Sequence, residues 1–209
     1  VAVLQIESRA QMAWLRRNPP TTFYHLVIQV AIIRRGPITG GMLQPFFERR
    51  LGRETPTYPH PKLEPVLKRT LGVPIFQEQI LKMAMVVADF TGGEAEELRR
   101  AMGFKRSVER MQEIERRLRD GMAKNGIVGE GQDQIVRSIT AFALYGFPES
   151  HAASFALLAY ASAWLRAYYP TAFYVALLNA WPMGFYHPAT LVKDAQRHGV
   201  EARPVDVNA

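Results

Sequence analysis

The sequence contains no cysteine, and this absence excludes several classes of protein at once. A disulfide scaffold, a cysteine-ligated zinc site and a thiol nucleophile all need a residue that the chain lacks. Long hydrophobic runs are also missing. The longest, Ala152–Leu165, has 14 residues including two serines, which is too short to span a bilayer. We therefore predict a cytoplasmic protein without a membrane partner.

Motifs for self-contained catalysis are equally scarce. No Asp-x-Asp pair occurs among the five aspartates, although a two-metal site needs carboxylates that converge on two cations. The five histidines show no His-x-x-x-His spacing, and the chain has no Gly-x-Ser-x-Gly elbow, P-loop or dinucleotide fingerprint. We expect no metal site and no complete active site. The opening Val-Ala-Val-Leu, without an initiator methionine, favours a piece of a longer protein.

Positive charge is present in excess and is unevenly distributed. The 209 residues include 26 Lys+Arg and 19 Asp+Glu, a net charge of +7. The first fifty residues hold seven arginines against two glutamates, whereas the charges over residues 121–209 balance. This distribution favours a polyanionic partner near the N-terminus, with a solvated face as the alternative.

Hydrophobic residues recur at helical spacing along nearly the whole chain, which predicts a mainly α fold with Gly/Pro-rich loops. Pro19-Pro20 end a first short helix, and Thr21 or Thr22 caps a second one. Residues 34–65 are predicted as loop, apart from a short helix over 43–50. Further helices are predicted over 63–70, from Pro74 to 87, after the capping box Thr91–Glu94, from Ser107 to about 125, over 133–144, from Ser150 to 170, and over 171–179 and 189–198, before an extended tail over 200–207.

Four cations within eight residues form the first candidate phosphate contact: Arg99, Arg100, Lys105 and Arg106. Clustered at a helix end, they suit a triphosphate or a backbone phosphate. In the alternative interpretation, Arg99 and Arg100 complement the helix C-terminus and pair with Glu96 and Glu97. Spacing alone favours this alternative.

The second candidate is the segment Tyr145–His151, where a Gly/Pro turn leads into a capped helix. Free backbone N–H groups and His151 in the first turn suit an anion, and Tyr145 and Phe147 offer rings for base stacking. An ordinary helix start with buried aromatic residues explains the same pattern, and Glu149 argues against an anion. Both interpretations remain open at this point.

Arg34 and Arg35 form the third candidate, because the glycines that follow them allow a backbone to approach a phosphodiester chain. A surface loop is the alternative. Gln77 supplies an amide that suits either a base or a neighbouring residue.

Taken in chain order, these stretches resemble one known family. They are Gln5–Arg9, Arg34–Met42, Phe76–Gln79, Leu98–Met102 and Tyr145–His151. Together they are similar to the fingers region of bacterial C-family DNA polymerases, the alpha subunit of DNA polymerase III, over essentially the whole chain. Residues 146–155 and 197–208 resemble the error-prone, DnaE-like (ImuC) branch. Replicative members carry Asn-Lys at Pro148-Glu149 and Arg-Pro-Gly-Pro at residues 34–37, where this sequence reads Arg-Arg-Gly-Pro.

The resemblance implies template-directed nucleotidyl transfer in damage-induced DNA synthesis, with two Mg²⁺ ions held by palm aspartates outside this chain. The implied nucleotide-binding residues are Arg99, Arg100, Tyr145, His151 and Gln77. The implied DNA contacts are Arg34, Arg35, Lys105 and Arg106. Primer-template DNA and deoxynucleoside triphosphates are the implied partners, with a sliding clamp and accessory mutagenesis proteins bound through other regions.

The resemblance also implies a division of the chain. Residues 1–180 would form the fingers region, and residues 181–209 a connector helix and the start of a following C-terminal region, with the palm and PHP domains absent. Such a fragment is expected to be inactive alone. Two alternatives remain: a non-catalytic helical DNA-binding module, and an assembly scaffold. The scaffold predicts an exposed apolar patch on the helix over 150–169.

Overall fold

The computed structural model describes residues 2–33, 43–103, 108–143, 147–182 and 186–204. Over these ranges the only β pairing is a single bridge, so the prediction of a mainly α fold is confirmed. The helices are α1 (Arg9–Arg17), α2 (Phe23–Ile32), α3 (Leu43–Arg50), α4 (Glu64–Leu67), α5 (Gln77–Ala88), α6 (Gly92–Gly103), α7 (Val108–Lys124), α8 (Glu130–Ala143), α9 (Glu149–Tyr168), α10 (Pro170–Asn179) and α11 (Pro188–Arg197). Short 3₁₀ turns, Pro61–Leu63 and Lys68–Thr70, flank α4.

Local capping residues begin and end several helices as their sequences predict. The Thr22 hydroxyl accepts the N–H of His25 at the start of α2. Before α6, the Glu94 carboxylate accepts the N–H of Thr91 at 2.8 Å, and the Thr91 hydroxyl accepts the N–H of Glu94. Gly126, with a φ of +73°, follows the end of α7. These boundaries are therefore set by residues within four positions of each helix end, through side-chain caps at the two starts and a left-handed glycine after α7.

Other predicted helix starts are wrong. Pro74 precedes α5, because the Gln79 side chain accepts the N–H groups of Ile75 and Phe76 and makes Gln77 the first helical residue. Ser150 does not cap α9, which begins at Glu149 after Pro148. The predicted helix over 63–70 is divided into α4 and its flanking 3₁₀ turns, and α8 begins at residue 130 rather than 133. The predicted cap Ser107 lies outside the described residues.

The first hydrophobic core lies among α5, α6, α7 and α8. Its central side chains are fully buried: Leu63, Ile80, Met83, Leu98, Leu118 and Ile135. Gly121 lets α7 approach α5 closely, since a Cβ added there would overlap the carbonyl group of Ala88. This core supports the arginine-bearing helix α6.

The second hydrophobic core lies mainly between α2 and α9. Three fully buried alanines of α9, Ala152, Ala156 and Ala159, allow this helix to pack against α2. Phe76 also belongs to this core, whereas Ile80, one turn further along α5, belongs to the first. The start of α5 therefore connects the two cores.

The C-terminal helices form a smaller cluster around Phe173, Tyr174 and Ala195. Asp194 is buried there and accepts hydrogen bonds from Tyr174 at 2.7 Å and from Arg166 at 3.0 Å. These contacts connect α9, α10 and α11. None of the helices in the described ranges is long and apolar enough to cross a membrane.

An exposed apolar surface runs along α9, opposite its buried alanines. We call it the apolar face of α9, and it consists of Leu157, Leu158, Trp164, Leu165 and Tyr168. Tyr168 is 69% exposed, and its ring lies 5.2 Å from that of Trp164. The spacing of these residues places them along one side of the helix. The patch that an assembly role predicts is therefore present.

Candidate functional site

Two distant segments meet at the start of α5. Phe76 forms a parallel bridge with Phe147, and the N–H of Gln77 donates to the carbonyl oxygen of Phe147 at 3.1 Å. Gln77 therefore lies beside the segment 147–151, which contains His151. These two candidate nucleotide-binding residues are positioned by one junction, although they are far apart in the sequence.

A carboxylate occupies the N-terminal end of α9. The N–H of Glu149 donates to both carboxylate oxygens of Glu78, at 2.9 and 3.1 Å. Of the backbone N–H groups considered for an anion, this one is therefore already bonded to a carboxylate of the protein. The physical reason is that the first N–H groups of a helix have no intrahelical acceptor, and Glu78 satisfies this one from a neighbouring helix.

The side chain of Glu149 is held by two further residues. The hydroxyl of Tyr24 donates to it at 2.8 Å, and the guanidinium of Arg69 lies 3.5 Å away. Arg69 also stacks over the Tyr24 ring, 3.6 Å from its centroid. Burial and the hydrogen bond to Glu149 raise the pKa of Tyr24, so its hydroxyl remains a donor. Sequence reasoning missed Tyr24, Arg69 and Glu78, because no local spacing connects residues on four separate elements.

His151 is exposed and lies between two phenylalanine rings. Its ring is 5.0 Å from that of Phe147 and 4.6 Å from that of Phe155, with both contacts edge-on. The three residues follow one another at four-residue intervals, a spacing that brings side chains together on a helix face. The imidazole is therefore oriented by aromatic contacts while it remains accessible to solvent.

Arg99 and Arg100 share a single carboxylate on their own helix. Arg99 donates to both oxygens of Glu96, at 2.6 and 2.8 Å, and Arg100 donates to one of them at 3.3 Å. These hydrogen bonds lower the pKa of Glu96 to about 2 and raise that of Arg99. The predicted local pairing is therefore confirmed with Glu96, whereas Glu97 pairs with Arg117 of α7.

Both arginines remain accessible despite this pairing. The side chain of Arg99 is 44% exposed and that of Arg100 is 68% exposed. An exposed ion pair contributes little to stability, so a phosphate could compete with Glu96 for these guanidinium groups. The two arginines lie on the outer side of α6, a helix that packs into the first core. Gln77 and His151 lie elsewhere, where the first core meets the second.

Five candidate residues fall outside the described residues: Arg34, Arg35, Lys105, Arg106 and Tyr145. Within the N-terminal basic segment, Arg49 is largely buried and binds Glu54, Thr57 and the carbonyl oxygen of Leu71. Arg50 donates to the carbonyl oxygen of Pro19. Part of the N-terminal charge therefore stabilises the fold, while Arg9, Arg16 and Arg17 are exposed.

Metal-ligating side chains do not cluster in the part of the chain that the structure describes. No group of three or more His, Asp or Glu side chains there could hold a metal ion. The described residues thus do not fit a resident metal, and none of them is assigned to one.

Comparison with known families identifies the family to which the chain belongs. A family model described as the bacterial DNA polymerase III alpha subunit finger domain matches residues 1–126. Since this match covers more than half of the chain, the protein belongs to that family. The resemblance of the chain to the fingers region of these polymerases is confirmed.

The similar proteins identify the branch of the family. The error-prone DNA polymerase of Anaeromyxobacter dehalogenans strain 2CP-C is 59% identical over 99% of this chain. Those of Methylococcus capsulatus and Pseudomonas syringae pv. syringae are 56% and 58% identical over 100% and 99% of the chain. The chain covers 18–20% of the length of these three relatives, about a fifth. It is thus similar to the fingers of error-prone polymerases.

Proposed function

We propose that this chain is the fingers region of an error-prone DNA-directed DNA polymerase and binds the incoming deoxynucleoside triphosphate and the primer-template DNA. The observation that carries the proposal is family membership, together with similarity to error-prone polymerases over 99% of the chain. We assign residues 1–180 to the fingers, and residues 181–209 to a connector helix and the start of the next region.

Arg99 and Arg100 are the proposed triphosphate ligands. Their guanidinium groups are accessible and planar, and each can donate two parallel hydrogen bonds to phosphate oxygens. On binding, a phosphate would replace the Glu96 carboxylate as the partner of the two guanidinium groups. The positive charge of the arginines is therefore compensated both with and without the nucleotide. In the complete polymerase this places positive charge beside the transferring phosphoryl group.

Gln77 and His151, which lie at the junction of the two cores, are proposed to contact the nucleotide. The same role is proposed for Tyr145 from the family resemblance alone. The exposed imidazole of His151 offers a ring nitrogen to a phosphate or sugar oxygen. DNA contacts are proposed for Arg34, Arg35, Lys105 and Arg106. Mg²⁺ supplies charge stabilisation in phosphoryl transfer, and we assign it to carboxylates outside this chain. Contacts with a sliding clamp and with accessory proteins are likewise assigned to other regions of the polymerase.

Replacement of Arg99 in the full-length polymerase tests the proposal. We expect Arg99→Ala to raise the KM for nucleotide or to lower kcat in primer extension, because a charge-assisted contact to the triphosphate is lost. Arg116→Ala is the matched control, since Arg116 forms a similar exposed pair with Glu113 on α7. If Arg99→Ala matches the control, Arg99 does not belong to the site.

The isolated chain provides a second test. With Mg²⁺, primer and template, we expect no extension, because catalysis needs carboxylates that this chain does not supply. Extension by a highly purified sample would contradict the proposed division of labour.

The alternative of a non-catalytic DNA-binding module predicts a different response. Affinity for DNA would fall steeply with salt and would not respond to added nucleotide. Binding titrations over a range of salt concentrations, with and without nucleotide, distinguish the two proposals.

The apolar face of α9 favours one additional role, that of an assembly surface. Its occupant is proposed to be another region of the same polypeptide, because the relatives are about five times as long as this chain. Cysteines introduced at Leu158 and Tyr168 should react more slowly with a maleimide in the full-length protein than in the isolated chain. Equal rates would contradict this role.

A further inference from the structure

Contacts from three other elements converge on Glu149, in the first turn of α9. Its backbone N–H donates to Glu78, and its side chain accepts from Tyr24 and pairs with Arg69. The elements involved are α2, the turn Lys68–Thr70, α5 and α9, and each contributes one residue. Two residues after Glu149 stands His151, and one residue before Glu78 stands Gln77.

We propose that Tyr24, Arg69 and Glu78 are positioning residues of the nucleotide site and act through Glu149 on the segment 147–151. The inference rests on the proposed function, because it assigns no ligand of its own. It adds three residues that would set the geometry of His151 and Gln77 without contacting the nucleotide.

The contact of Glu78 with the backbone fixes where α9 begins. The N–H of Glu149 has no acceptor within its own helix, so its partner is the Glu78 carboxylate. Phe147, which contacts the imidazole of His151, lies before this first turn, whereas Phe155, which contacts it from the other side, lies within the helix. Glu78 therefore holds the backbone between these two aromatic contacts, two residues before His151.

Gln77 and Glu78 hold the same segment at two successive points. The N–H of Gln77 donates to the carbonyl oxygen of Phe147 at 3.1 Å, and the carboxylate of Glu78 accepts the N–H of Glu149. These two contacts hold the backbone of the segment on both sides of Pro148. We call this pair of contacts the clamp.

Arg69 compensates one of the two carboxylates at the clamp, which weakens their repulsion of an anionic ligand. Glu78 and Glu149 would repel each other and a triphosphate if both were uncompensated. The Arg69 guanidinium, 3.5 Å from Glu149, supplies the opposite charge, and the Tyr24 hydroxyl holds that carboxylate in place. The acid that argued against an anion near His151 is therefore neutralised.

Variants of Glu78 in the full-length polymerase test the inference with two readouts. The first is hydrogen exchange of residues 147–152, and the second is the separate measurement of KM and kcat for nucleotide. We expect Glu78→Ala to accelerate exchange in the segment and to raise KM by about tenfold, with a smaller change in kcat. Glu78→Gln should restore both values, because its amide oxygen accepts the same N–H.

Matched controls separate positioning from general destabilisation. Glu130→Ala removes another exposed first-turn acid, on α8, and should leave both readouts unchanged. Tyr24→Phe keeps the ring over which Arg69 stacks but removes the donor to Glu149, and it should raise KM in the same direction as Glu78→Ala.

The outcomes distinguish this inference from the proposed function. Unchanged exchange in Glu78→Ala overturns the clamp. Faster exchange with an unchanged KM overturns the positioning role, provided that His151→Ala raises KM in the same protein. If His151→Ala and Gln77→Ala both leave KM unchanged, the proposed nucleotide site fails and the positioning role fails with it, while exchange still reports on the clamp.

Discussion

At Glu96 one carboxylate accepts hydrogen bonds from two arginines, and its pKa falls to about 2. A carboxyl group whose pKa is lower in the folded state than its ordinary value of 4.5 stabilises the fold above that value. This contribution is lost as the pH falls from about 4.5 towards 2. At neutral pH the pair is fully charged, so only another anion can displace Glu96 from the arginines.

Titration of Glu96 tests this pairing in solution. We expect Arg99→Ala to raise the pKa of Glu96 towards 4.5, because the hydrogen bonds from Arg99 are the main cause of its depression. Carboxyl-carbon NMR as a function of pH measures the midpoint directly. Arg116→Ala, on α7, should leave the Glu96 titration unchanged, and an unchanged midpoint in Arg99→Ala would show that the pair does not form.

Individual residues differ in how far the sequence predicts their roles. The pairing of Arg99 with Glu96 follows from a spacing of three residues on one helix, so it is predictable. The contacts of Glu149 with Tyr24 and Glu78 join residues 125 and 71 positions apart. Only tertiary packing brings them together, and the side-chain types alone do not reveal it.

Among the elements, α7 and α5 approach each other closely at Gly121. A Cβ at this position would overlap the carbonyl group of Ala88. An alanine would raise the helix propensity of α7 by about 1 kcal/mol. The helices must nevertheless separate to accept it, and overpacking of this kind costs about 1–3 kcal/mol. The overlap is with backbone, which cannot rotate away.

We therefore expect Gly121→Ala to lower the free energy of unfolding by up to about 2 kcal/mol despite the better helix former. Gly93→Ala is the matched control on α6, since a Cβ there meets nothing closer than 4.0 Å. Urea denaturation of both variants measures the difference. A Gly121→Ala protein as stable as the control would show that the two helices are less closely packed than described.

The helix boundaries show the same division between local and distant causes. The starts of α2 and α6 are predictable, because Thr22 and Thr91 bond to groups three residues away. The start of α9 is not, because its N-terminal N–H is satisfied by Glu78 of another helix. The start of α5 follows from the Gln79 side chain, which the Pro74 pattern obscured.

In the molecule as a whole, the apolar face of α9 contrasts with the rest of the surface. Between Glu149 and Arg166 the helix carries no Asp, Glu, Lys or Arg. Large apolar side chains arranged together on a surface favour association when nothing covers them. The composition reveals an apolar helix, but only the packing of α9 against α2 shows which of its sides is exposed.

We expect a double variant of the isolated chain, Leu157→Lys with Tyr168→Lys, to associate less at high concentration than the unaltered chain, with an unchanged thermal midpoint. Both side chains are more than half exposed, so charge can be introduced there without disturbing a core. Analytical ultracentrifugation measures the association. Val128→Lys is the control, since Val128 is 66% exposed and lies outside α9, between α7 and α8. Equal association of the double variant and the control would contradict the role of the face.

The start of α5 has a mechanical consequence. Phe76 is anchored in one core and Ile80 in the other, so a single helical turn belongs to both. This turn also bonds to the segment that leads into α9, through the contacts of Gln77 with Phe147 and of Glu78 with Glu149. The start of α5 thus couples the core that carries the arginine-bearing helix to the segment that presents His151.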